Sequence, residues 1–190
     1  LSLKQDDGTG TTTLNGAVNT SGAAGVNVVN ETLAVNAGIT ATAGGTVMLN
    51  ADTATLALAA AGDITADGAV SLTGAAGIST AGGVSAGGLQ MSSGGAINQT
   101  GDKTIKVSGL AEFTSEGAGP NGKITLGNAN KFGSLKLTSA KGDRLTINEA
   151  DSTLFDAVAI DSGAFTVSSG GDITQVANTS ITVEKTADFT

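Results

Sequence analysis

A segment of this chain occurs twice. SGGAINQT at residues 93–100 returns as SGGDITQV at residues 169–176, an offset of 76. The match continues in register. Ile105 and Val107 return as Ile181 and Val183, and Ala111, Phe113 and Thr114 return as Ala187, Phe189 and Thr190. Across residues 93–114 and 169–190, 10 of 22 positions are identical, most of them glycines or the apolar members of strand-like runs. Self-similarity at a fixed spacing marks a stacked repeat, because a unit that cannot bury its own apolar face must bury it against a copy.

The local pattern says what is stacked. Short runs recur along the chain: TLAV at 32–35, TVMLN at 46–50, TLALA at 55–59, AVSLT at 69–73, LQMS at 89–92, TIKVS at 104–108 and KITLG at 123–127. SLKLT at 134–138, RLTIN at 144–148, AFTVS at 164–168 and ITVE at 181–184 follow. Each holds two apolar residues spaced by two, which point to one side of a strand. The best helical candidate, STLFDAVAI at 152–160, is short and has no cap, so a strand reading is preferred.

The spacing between runs gives the coil. Leu33 and Val35 recur as Leu56 and Leu58, and Val47 and Leu49 as Val70 and Leu72, both at a step of 23. Ile124 and Leu126 are followed by Leu145 and Ile147, then by Phe165 and Val167, at steps of 21 and 20. The expectation is an all-β, right-handed parallel β-helix with about 20–23 residues per coil. The 76-residue unit would then hold about four coils. Residues 1–190 are read as one continuous solenoid with two repeat subtypes, about 1–94 and 95–190, because all but one Lys, all but one Glu and all 5 Phe lie beyond Gly95. GAGPNG at 117–122 holds the only Pro and is the expected protruding loop.

The inward set is expected to include Leu56, Leu58, Val70, Leu72, Ile105, Val107, Ile124, Leu126, Leu145, Ile147, Phe165, Val167, Ile181 and Val183. Gly94, Gly95, Gly170 and Gly171 are expected in equivalent turns four coils apart, with positive φ or close backbone approach. The opening LSLK and closing TADFT lie within the strand pattern. Both terminal coils, Phe189 included, are therefore expected to present unpaired edges, covered by more of the same polypeptide or by identical subunits end to end.

Composition excludes several classes of function. The net charge is −8, with no basic stretch to neutralise phosphates, so no nucleic-acid partner is expected. No run approaches the ~20 apolar residues of a membrane helix, so no membrane insertion is expected. The chain holds no His and no Cys, which removes histidine triads, thiol nucleophiles and most zinc sites. It begins at Leu1 and is expected to be a piece of a longer chain or fibre.

Chemical candidates are few. Paired carboxylates could serve a carbohydrate-active β-helix, and Asp143 with Arg144, or Glu149 with Asp151, are the candidates. The competing reading, that they are corner residues bonding nearby backbone, is preferred. GGDI at 170–173 and AGDI at 61–64 offer one carboxylate per coil, too few for calcium. TAGGVSAGG lacks the Lys and helix of a phosphate loop. No catalytic, cofactor-binding or metal residue is assigned, no cofactor is expected, and the chain is not read as an enzyme.

One family resemblance emerges from GGDITQ, the following I-T-V strand and A-x-F-T. It is supported by ITLGNANKFGSLKLTSA at 124–140, LTINEADSTL at 145–154 and GDITADGAVSLTGAAGIST at 62–80. These resemble the repeats of large filamentous-haemagglutinin-like exoproteins of Gram-negative bacteria. The resemblance implies a right-handed parallel β-helix, export to the cell surface or beyond, and service as an adhesin shaft, with host-cell or surface glycans as partners. A self-assembling filament or sheath subunit is the first alternative, and a carbohydrate-active β-helix enzyme the second.

Overall fold

Two inward residues per short strand can be shielded from water only if like strands lie over one another. The chain achieves this by winding. The computed structural model describes every residue except 142, 143 and 162. It is a parallel β-solenoid of about 9 turns, 61% strand, with roughly 21 residues per turn. A strand spacing of about 4.8 Å makes the stack about 40 Å long.

Each turn carries three strand positions, and like positions form three parallel ladders. The first ladder runs through Leu3–Gln5, Val26–Asn30, Val47–Ala51, Ala69–Gly74 and Gly88–Ser93. It continues in the later parts of Ile105–Ser115, Ile124–Ser139 and Thr153–Ile160 and ends at Ile181–Val183. The second runs through Thr11–Leu14, Thr32–Val35, Thr55–Leu58, Gly77–Thr80 and Ala96–Gln99. It goes on in the start of Ile124–Ser139, then Arg144–Glu149, Ala164–Ser169 and Ala187–Phe189. The third begins with Val18–Thr20, Ile39–Ala41, Ile64–Ala66 and Val84–Ala86, enters the start of Ile105–Ser115 and reaches Lys131 and Phe132. It resumes with the start of Thr153–Ile160, which lies under Ile173–Gln175. The residues considered for a helix thus form a strand.

Alternation along each strand puts one side chain of every two inside. Val26, Val47, Val70, Leu89, Ala111 and Leu135 stack in one inner column of the first ladder, and Val28, Leu49, Leu72, Met91, Phe113 and Leu137 in the next. All are buried. The ladder crosses Gly95 without a break, since Leu89 pairs with Ala111. What changes there is the filling. Phe113 meets Phe132 edge-on at 5.6 Å, and Phe155 meets Phe165 at 5.7 Å, so later turns fill the same lumen with aromatic rings.

Twelve of the expected inward residues, Leu56 through Val167, are buried. Ile181 and Val183 are half-buried, because Ile181–Val183 has a paired neighbour on one side only. Phe189 is 43% exposed. The 117–122 loop folds into a 3₁₀ turn at Pro120–Gly122, entered through Gly119 at φ 56°.

The 76-residue repeat corrects one expectation. Ile97 lies under Ile124, Ile124 under Leu145 and Leu145 under Phe165, which is three turns. Ile173, the repeat counterpart of Ile97, belongs to the strand position after Phe165, on the third ladder. The repeat therefore spans three turns and one third, not four, and its second copy is rotated onto the next face. The corners are locally alike all the same. Gly94 N–H donates to Gly74 O at 3.1 Å and Gly170 N–H to Glu149 O at 3.0 Å. A Cβ on Gly94 would overlap the Ala75 carbonyl oxygen, and one on Gly170 the Ala150 carbonyl oxygen. Close approach to the turn below, and not positive φ, is what these glycines supply.

Candidate functional site

The carboxylates considered for catalysis do not converge. Glu149 ends its strand pointing inward and is buried. Its Oε1 accepts the Phe132 N–H at 2.8 Å, while Oε2 is buried with no hydrogen-bond partner among the described residues. Burial pushes the Glu149 carboxyl above the ordinary range, opposed by the Phe132 N–H and by Thr153, with Asp151 adding to the rise. Asp151 is exposed and pairs with Lys131 Nζ at 2.8 Å. One carboxyl is inside the lumen and the other outside it. Asp143 lies outside the described residues. Arg144 is exposed and shares a shallow groove of about 460 Å³ with Lys123 and Lys185.

The two GDI motifs serve different local ends. Asp63 Oδ1 accepts the Gly83 N–H of the next turn at 2.7 Å, and Oδ2 pairs with Lys103 at 3.2 Å. The Gly83 hydrogen bond above all, with Lys103 assisting, holds the Asp63 carboxyl below its usual range. Asp172 contributes its backbone N–H to Ser152 Oγ at 3.1 Å. Among the described residues no group of three or more His, Cys, Asp or Glu is placed to hold a metal. Asp63, Thr65, Ser85, Lys103 and Lys106 line a surface groove of about 200 Å³, and Asp67, Ser85, Lys106 and Lys131 line its neighbour.

A dense polar arrangement is built from residues that form no motif in the sequence. It sits where the second ladder turns into the third. Gln99 Nε2 donates to Lys103 O at 2.8 Å, closing the 99–103 corner on itself. The turn above locks it. Asn128 N–H and Asn130 Nδ2 both donate to Gln99 Oε1 at 3.1 Å, and Asn128 Nδ2 donates to Gly101 O and Lys103 O. Asn130 Oδ1 accepts Gln99 Nε2 and the Ile105 N–H, each at 2.8 Å. Asn130 is fully buried, and each of its polar atoms has a partner. A buried network satisfied in this way fixes register as well as adding stability.

The arrangement can join turns and fix their stacking; nothing in it activates a nucleophile or holds a phosphate. No described helix is long and apolar enough to cross a membrane. These features define a β-solenoid repeat protein. The chain belongs to the family described as repeats of unknown function (DUF5649), which matches residues 81–139 and 142–190. No curated protein and no solved structure matches it. Residues 1–80 lie outside both family matches yet continue the same three ladders.

Proposed function

We propose that this chain is a non-catalytic segment of an extracellular rod, the shaft of a bacterial adhesin or surface fibre of the filamentous-haemagglutinin-like kind. The observation that carries this reading is the stacking of parallel strands turn on turn, about 9 turns in all, around one apolar lumen. Cross-turn hydrogen bonds lie along the axis, so each turn stiffens the next and length is added without a new core. The resemblance of 62–80, 124–140 and 145–154 to exported repeats supports the placement outside the cell. The opposed directions of Glu149 and Asp151 weigh against a glycan-cleaving cleft.

A filament subunit remains the second reading. Stacking of like turns along one axis supports it too, since a second copy can extend the same ladders. The test is made on the organism that produces the chain. Antibodies to it should label intact, unpermeabilised cells, and brief external protease should remove the label. Signal seen only after permeabilisation would contradict the extracellular rod. Sedimentation that shifts with concentration would move the assignment to the filament subunit.

A further inference from the structure

Asparagine is followed by glycine twice in the chain, at Asn15–Gly16 and at Asn121–Gly122. The pair carries a chemistry of its own. A glycine nitrogen, with no Cβ on its residue to hinder it, attacks the preceding side-chain amide carbon and expels ammonia. The reaction needs a glycine N–H released from hydrogen bonding and a backbone free to bring the two atoms together. The fold treats the two pairs oppositely.

Asn121–Gly122 is held shut. It lies in the 3₁₀ turn Pro120–Gly122, where Gly122 is buried and its N–H donates to Gly119 O at 3.0 Å. Asn15–Gly16 lies open at the corner between Thr11–Leu14 and Val18–Thr20, and both residues are exposed. The Gly16 N–H has no hydrogen-bond partner among the described residues, and a Cβ on Gly16 would meet nothing within 4 Å. Asn15 Oδ1 accepts Asn36 Nδ2 from the next turn at 2.8 Å. That donor draws charge toward Oδ1 and makes Cγ more electrophilic. Asn15 Nδ2, the leaving nitrogen, has no partner among the described residues.

We infer that Asn15–Gly16 is a site of spontaneous deamidation in the folded protein, while Asn121–Gly122 is protected. Gly16 N gives its proton to solvent base and bonds to Asn15 Cγ. The Cγ–Nδ2 bond breaks, and Nδ2 leaves as ammonia. One water then opens the cyclic imide at either carbonyl, which restores the Gly16 N–H and leaves aspartate or isoaspartate at position 15. Either product sets a new carboxylate beside Asn36. Isoaspartate also routes the main chain through the former side chain, adding one backbone atom shortly before Val18, whose N–H donates to Gly38 O at 3.0 Å. The modification thus marks the age of the chain and loosens the pairing of Val18–Thr20 with Ile39–Ala41. The inference does not need the rod to be extracellular.

The test incubates the full folded chain in mildly alkaline buffer and follows both asparagines by peptide mass spectrometry. Asn15 should convert about tenfold or more faster than Asn121, the factor of roughly one net hydrogen bond to be broken at Gly122. The same chain unfolded in urea should convert both at similar rates, which assigns the difference to the fold. Gly16→Ala, for which the corner has room, should keep the fold and abolish the fast conversion. The isoaspartate fraction should exchange the Val18 amide faster than the parent chain, and an equal rate would overturn the loosening. If Asn121 converts as fast as Asn15 in the folded chain, or if Asn15 reacts only in urea, the inference is wrong.

Discussion

Glu149 and Asn130 are register partners on adjacent turns, and their fates show how much one inward polar side chain decides. Asn130 is neutral and satisfied. Removing it in Asn130→Ala strands the Ile105 N–H and takes two of the four side-chain hydrogen bonds of Gln99, at a cost of about 1–3 kcal/mol for the buried N–H left unpaired. A clear drop in the thermal midpoint is expected, with faster exchange at Ile105, and an unchanged melting curve would refute the role. Glu149 is the converse case. Its carboxyl is raised by burial, so the folded state holds the proton more tightly than the unfolded chain. The stability of the neutral form is then complete below the ordinary carboxylate range and is lost as pH rises through the folded value. Glu149→Gln keeps an acceptor for the Phe132 N–H and cannot ionise. It should be more stable than the parent at pH 7, with the gap closing as pH falls toward 4. A variant less stable at pH 7 would show that the charged carboxylate is favoured inside.

At the scale of single strands, period-two pairs repeated at coil spacing were enough to place Leu56, Val70, Ile124, Leu145 and Phe165 inside. Apolar burial is simple and local, so the sequence displays it. Which face a strand joins was not legible. All three ladders use the same apolar-x-apolar pattern, and the step between turns varies from 19 residues (Val70 to Leu89) to 27 (Ile97 to Ile124). The four-turn reading of the 76-residue repeat failed for that reason. The Gln99–Asn130 lock was also missed, because its members stand 31 residues apart and each resembles an ordinary corner residue. The strand-level prediction concerns Ile124, fully buried between Ile97 and Leu145. Ile124→Asp places an unpaired charge between turns and should abolish cooperative unfolding or lower the midpoint severely. Parent-like melting would contradict the placement. By the same logic Gly94→Val should be strongly destabilising, since its Cβ would meet the Ala75 carbonyl oxygen.

For the whole molecule, the claim on which everything rests is the winding: three faces, with each strand lying over the strand one turn below. The chain has no cysteine, so engineered thiols report this cleanly. Asn98 and Thr125 are register partners on adjacent turns of the second ladder, 27 residues apart in sequence. Parallel neighbours at about 4.8 Å fall within the Cα separation a disulfide accepts. The doubly substituted Asn98→Cys, Thr125→Cys chain should form an intramolecular disulfide on mild oxidation. Closing a loop of that size should add about 3.5 kcal/mol of stability on the chain-entropy account, and reduction should reverse the gain. A folded variant whose two thiols stay free under the same oxidation would contradict the solenoid winding, and with it the rod.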